Sequence, residues 1–167
     1  LSGLTTTEAG GTVTFSIVLE SEPVTDVTVD LSSSNTTEGI ASPSSVTFNA
    51  SNWDTPQTVT ITGQDDNVDD GDVSYSIVAV AASSGDTNYN GLNATDVSVS
   101  NTDDDVAGIT VSPSGDLVTS EDGGTAAFTI VLDSQPTANV TIGLTSSDAT
   151  EGTVSTAGLT FTPQTWD

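Results

Sequence analysis

The chain is 167 residues long and contains no Lys, Arg, His or Cys against 24 Asp and Glu, for a formal net charge of -24 at pH 7. This inventory excludes disulfides, thiolate nucleophiles, zinc-thiolate sites and histidine general bases, and it argues against nucleic acid or anionic membrane surfaces as partners, since both are bound largely through Lys and Arg. It also leaves the carboxylates without internal counter-charge, so a cation from solution must relieve their repulsion, and an all-oxygen ligand set suits hard divalent ions.

Only 14% of the residues are charged and 34% are hydrophobic, which together with regular apolar alternation predicts a folded chain rather than a disordered one. No apolar run reaches membrane-spanning length, so no membrane insertion is expected.

From the N-terminus, Thr7-Glu8-Ala9-Gly10-Gly11 is an acid followed by turn formers. Period-2 alternation then predicts half-buried strands at Val13-Phe15-Ile17-Leu19 and Val27-Val29-Leu31. Glu38 lies in Thr37-Glu38-Gly39, ahead of a third alternating segment at Val46-Phe48 and a fourth at Val59-Ile61. Trp53, between these two, is either a sugar-stacking platform or an edge-packing residue, and the second reading is favoured.

The run Asp65-Asp66-Asn67-Val68-Asp69-Asp70-Gly71-Asp72 follows as a loop. Asp65, Asn67 and Asp69 have the spacing of an EF-hand loop, but Asp70 stands where Gly is required and Ser76 where Glu is required, between strands instead of helices. A strand at Val73-Tyr75-Ile77-Ala79 places Tyr75 inward. Asp86-Thr87-Asn88-Tyr89-Asn90-Gly91 reads as a plain polar connection, and Val97-Val99 as a last strand before the triplet Asp103-Asp104-Asp105. Adjacent like charges in two loops repel one another unless a cation bridges them; the competing reading is solvated acidic loops with no specific ion.

The pattern recurs 113 residues later. Glu8 matches Glu121, Phe15 matches Phe128, Ile17-Val18-Leu19 matches Ile130-Val131-Leu132, Glu38 matches Glu151 and Trp53 matches Trp166. Between Glu8 and Asp54, 23 of 47 paired positions are identical without a gap, which signals a tandem repeat close to the length of an immunoglobulin-like sandwich. The fold class expected is all-β, as tandem immunoglobulin-like sandwiches of about seven strands per repeat. Residues 1–108 form the first repeat, with its first strand missing, because Ile-Thr-Val-Ser-Pro at 109–113 has no counterpart 113 positions earlier. Residues 109–167 form the first half of a second repeat, completed either by continuation of the chain or by a neighbouring subunit.

Three segments resemble the Calx-β domain of sodium/calcium exchangers and bacterial surface proteins: Thr7-Glu8-Ala9-Gly10-Gly11, the Asp65 to Asp70 loop, and Asp103-Asp104-Asp105-Val106-Ala107-Gly108-Ile109. The resemblance implies calcium as the bound ion. Its ligands would be Glu8, Glu38, Asp65, Asp66, Asp70, Asp103, Asp104 and Asp105, with Val68 offering a backbone carbonyl and Glu121 and Glu151 forming an incomplete half-site in the second repeat. Glu38 stands where the family commonly has Asp, and Asp70 where it often has Glu.

Paired carboxylates alone leave glycoside hydrolysis as the one open catalytic class, and duplication of Glu8 and Glu38 favours structure over chemistry. The expected role is a calcium-stabilised extracellular spacer of an adhesin stalk, or a subunit of a surface filament assembled from identical subunits by strand complementation. The alternative is a polysaccharide-binding module.

Overall fold

A computed structural model describes residues 3–167, and the described residues contain thirteen strands and no helix. They divide into two compact units, one comprising the described residues up to Asp66 with Asp70–Asp104, the other Asn67–Asp69 with Asp105–Asp167.

The first unit contains β1 (Leu4–Thr7), β2 (Thr12–Ile17), β3 (Val27–Ser33), β4 (Gly39–Ser42), β5 (Ser45–Phe48), β6 (Gln57–Gly63), β7 (Val73–Ala79), β8 (Ser83–Ser84) and β9 (Val97–Thr102). One sheet runs β1-β9-β7-β3-β5, with the two-residue β8 also on β3; the other runs β2-β6-β4. The pairing of β1 with β9 is parallel, Leu4 lying opposite Val99, and the other pairs are antiparallel. Nine strands stand where about seven were expected, the excess being short pieces such as β4 and β8 that have no alternating pattern to announce them.

Alternation in the sequence becomes burial because successive side chains of a strand point to opposite faces. Val27, Val29 and Leu31 on β3, Val59 and Ile61 on β6, Tyr75, Ile77 and Ala79 on β7, and Val97 and Val99 on β9 all lie buried in one core with Phe15, Val46 and Phe48. The intervening Thr and Ser face outward, leaving two sheets that are apolar inside and polar outside. Between β4 and β5 the chain leaves one sheet and joins the other across Pro43-Ser44.

The 86–91 segment is more than a connection. Asp86 is buried, and its carboxylate accepts hydrogen bonds from the Val24 N–H at 3.0 Å and the Asn88 N–H at 2.9 Å. Those bonds hold its carboxyl below the usual range. The Tyr89 hydroxyl donates to the Ser21 carbonyl at 2.5 Å, and its ring packs against the core. Asp86 and Tyr89 thus fasten the 20–24 segment to the sandwich.

The second unit contains β10 (Ile109–Ser112) paired with β11 (Thr129–Leu132), and β12 (Val140–Gly143) paired with β13 (Gly158–Phe161). Its β12–β13 pairing sets Val140 opposite Phe161, as β3–β5 sets Val27 opposite Phe48. Burial differs sharply between the matched positions: Phe15 is 8% exposed and Phe128 is 40% exposed. Leu132 is the second unit's one buried hydrophobic residue among those described.

Candidate metal centre

The end of the first unit at which β1 and β9 finish holds Glu8, Glu38, Asp66, Asp70 and Asp103. Glu8 follows β1 directly, and its N–H donates to the Thr102 carbonyl at 3.0 Å, so the parallel β1–β9 pairing continues into the acidic residue. The turn behind it closes when the Gly10 and Gly11 N–H groups both donate to the Thr7 carbonyl, at 3.0 and 3.1 Å. Gly10 has φ of 79°, a left-handed conformation that glycine adopts without strain. The Gly63 N–H then donates to the Gly11 carbonyl at 3.0 Å, tying this turn to the end of β6 where the acidic loop begins.

Two carboxylate groups form here. Glu8, 2% exposed, and Asp103 offer oxygens within 4.8 Å of one another. Glu38, 4% exposed, does the same with Asp66 and Asp70. Asp66 also raises the proton affinity of Glu8 through its charge. The Asp103 carboxylate accepts from the Gly71 N–H at 2.6 Å, and the Asp72 carboxylate accepts from the Asp103 N–H at 3.3 Å, which holds the acidic loop against the closing triplet.

Asp65 and Asp104 are exposed and outside both groups, although the Asp104 N–H donates to Glu8 Oε2 at 3.4 Å. Half-buried Val68 and Asp105 belong to the second unit. In that unit the Asn67 carbonyl accepts from the Gln135 N–H at 2.6 Å, and the Asp69 carboxylate from the Ala107 N–H at 2.8 Å. Glu121 and Glu151 are exposed, and no acidic group gathers around them among the described residues.

A buried polar chain supports the second group from behind. Asn101, 1% exposed, donates through Nδ2 to Glu38 Oε2 at 3.4 Å and to the Gln64 carbonyl at 3.0 Å. Its Oδ1 accepts from Thr6 Oγ1 at 2.8 Å, and Thr6 in turn lies 3.1 Å from the Tyr75 hydroxyl. Burial raises the Tyr75 pKa, so its hydroxyl stays protonated. Sequence reading placed Tyr75 inward but passed over Asn101, although a polar residue continuing the inward series Val97-Val99 is the signal of a buried polar contact.

Two buried acids with no basic partner are costly unless a cation or a proton compensates them. Oxygens about 2.4 Å from a central ion lie at most about 4.8 Å apart, and the oxygens of each group lie within that distance, so an all-oxygen donor set of this kind could hold a hard divalent cation. Without one, Glu8 is pushed up to about 7, first by burial and then by the charges of Asp103 and Asp66, against a lowering by the Asp104 N–H.

Because its folded value exceeds the ordinary 4.5, the folded chain binds this proton more tightly than the unfolded chain does. In chelator, the melting temperature is therefore expected to fall as pH rises from 4.5 through about 7, and Glu8→Gln is expected to flatten that slope. Melting curves across this range check it, and a slope unchanged in Glu8→Gln contradicts it.

No family model matches the chain, and no curated protein sequence matches it. Among solved structures it is similar to SSP-19, an MSP-domain protein-like family member of Caenorhabditis elegans, at 16% identity over 59% of this chain and 91% of that one, with a TM-score of 0.41. It is also similar to WR4, an MSP family member of the same organism, at 14% identity over 59% of this chain and 89% of that one, with a TM-score of 0.37.

Proposed function

We propose that this chain is part of a calcium-stabilised extracellular structural protein, a spacer of an adhesin stalk or a subunit of a surface filament. Its units are read as tandem Calx-β-like sandwiches, residues 1–108 forming one repeat and 109–167 opening the next. The observation that carries this reading is the meeting of Glu8 with Asp103, and of Glu38 with Asp66 and Asp70, in a chain without a single basic side chain. The tandem reading is supported by the β3–β5 and β12–β13 registers, which agree at an offset of 113 residues.

In this mechanism the ion takes the place of the missing cations. Glu8 and Asp103, and Glu38 with Asp66 and Asp70, would hold it, and its charge would offset their repulsion where the β1 turn, the acidic loop and the end of β9 meet; the polar chain behind Glu38 fixes that carboxylate in advance, so less order would have to be imposed on binding. The role is mechanical: a unit that holds its shape when loaded serves as a spacer, and catalysis plays no part.

Calcium titration by calorimetry tests it. The intact chain is expected to bind calcium, and Asp66→Asn, which removes a carboxylate from the Glu38 group and a charge acting on Glu8, to weaken binding about tenfold or more or remove an ion. Absence of binding heat and of any calcium-dependent spectral change contradicts the assignment.

A further inference from the structure

The loop from Ala82 to Leu92 in the first unit holds the one Asn-Gly pair of the sequence, Asn90-Gly91. Such a pair carries a reaction of its own. When the glycine nitrogen gives its proton to water it can attack the asparagine Cγ; the Cγ–Nδ2 bond breaks, ammonia leaves and a cyclic imide closes. One water then opens the ring at either carbonyl, giving aspartate or isoaspartate, so water enters and ammonia departs. Glycine permits the attack because no Cβ stands beside its nitrogen and its backbone turns freely. Every other Asn of the chain is followed by a residue whose side chain obstructs the approach.

The fold leaves the asparagine open to water and withholds the nucleophile. Asn90 is exposed, yet the Gly91 N–H donates to the Ala82 carbonyl at 2.8 Å and the Ser84 N–H donates to Asn90 Oδ1 at 3.2 Å. Both reacting groups are therefore held by the far side of the same loop. Further bonds close it: the Asn90 N–H donates to the Asp86 carbonyl at 2.9 Å, and the Ala82 N–H to the Leu92 carbonyl at 2.7 Å. While the Ala82 bond stands, the Gly91 nitrogen can neither lose its proton nor turn toward Asn90 Cγ. The same loop carries Asp86 and Tyr89, which fasten Val24 and Ser21.

We infer that Asn90 is a modification site gated by the fold: opening of the 82–92 loop frees the Gly91 nitrogen, and water then converts Asn90 to aspartate and isoaspartate. Isoaspartate adds a carbon to the backbone between residues 90 and 91, which keeps the Gly91 N–H from returning to the Ala82 carbonyl. A reversible opening thus becomes a lasting one, and the hold of Asp86 and Tyr89 on the 21–24 segment loosens. No residue of either carboxylate group takes part, so the inference stands apart from the metal assignment.

The test keeps the intact chain folded in calcium and mildly alkaline buffer, with a synthetic peptide of residues 84–95 as the open reference. Peptide mass spectrometry and enzymatic methylation of isoaspartate read the conversion, and amide exchange reads the opening at Gly91. Conversion is expected to be slower in the chain than in the peptide by the same factor that slows Gly91 exchange, about a hundredfold or more. Tyr89→Phe, which removes the hydroxyl bond to Ser21, is expected to speed both about tenfold, and dilute urea gives the same comparison without a substitution. In the converted chain the Val24 N–H is expected to exchange faster. Conversion of the folded chain at the peptide's rate overturns the gating, as does Gly91 exchange that rises in Tyr89→Phe or urea while conversion does not. Unchanged exchange at Val24 after conversion overturns the lasting release.

Discussion

Chelation of calcium is expected to lower the melting temperature of the chain by about 10–20 °C for each ion lost. The magnitude follows from linkage: an ion present at 100 times its dissociation constant stabilises the state that binds it by about 2.7 kcal/mol. In a unit of about 100 residues, 1 kcal/mol moves the midpoint by about 4–8 °C. Two ions would contribute about 5 kcal/mol, comparable with the whole stability of many domains. Sodium chloride at matched ionic strength is expected to restore only a small part of the loss. Screening weakens repulsion among exposed carboxylates but acts far less on Glu8 and Glu38, which are buried. If sodium restored the midpoint as fully as calcium, the acidic loops would be merely solvated and the specific site would be wrong.

Replacing Phe48 by Ala is expected to cost about 3–5 kcal/mol, enough to unfold the first unit in chelator. Phe48 is fully buried, lies opposite Val27 on β3 and belongs to the core that joins both sheets, so its removal leaves a cavity that close-packed neighbours cannot fill. Phe161 has the same register opposite Val140 but is only half-buried, and Phe161→Ala is expected to cost a fraction of that amount. Chemical denaturation of the two variants in calcium measures the difference. Equal losses would mean that Phe161 sits in an equally well-packed core.

The strands that carry the core were legible because each one alternates. Val13 to Leu19, Val27 to Leu31, Val46-Phe48, Val59-Ile61, Val73 to Ala79 and Val97-Val99 all coincide with strands or their immediate extensions. β1 was not, since Leu-Thr-Thr-Thr has no apolar alternation and its partner β9 lies more than 90 residues away in sequence. The carboxylates were legible as residue types in clusters, and Glu8, Glu38, Asp66, Asp70 and Asp103 do converge.

Which of them converge was not legible. The β4–β6 pairing sets Gly39 opposite Gly63 and so brings Glu38 to the start of the acidic loop, and the Gly71 N–H, donating to the Asp103 carboxylate, ties that loop to the end of β9; neither contact is local in sequence. Asp86 went unread for a similar reason: its role depends on the Val24 N–H, 62 residues earlier in the chain. Local sequence records which side chains are present, whereas a site of this kind is made by long-range pairing.

The most direct measurement is an anomalous-difference map from crystals grown in calcium. A peak between Glu38, Asp66 and Asp70 and a second beside Glu8 and Asp103, each ringed by oxygens at about 2.3–2.6 Å, is the expected result. A well-ordered map with the same carboxylates turned away from one another and no peak between them would contradict the idea that a bound cation replaces the basic residues this chain lacks.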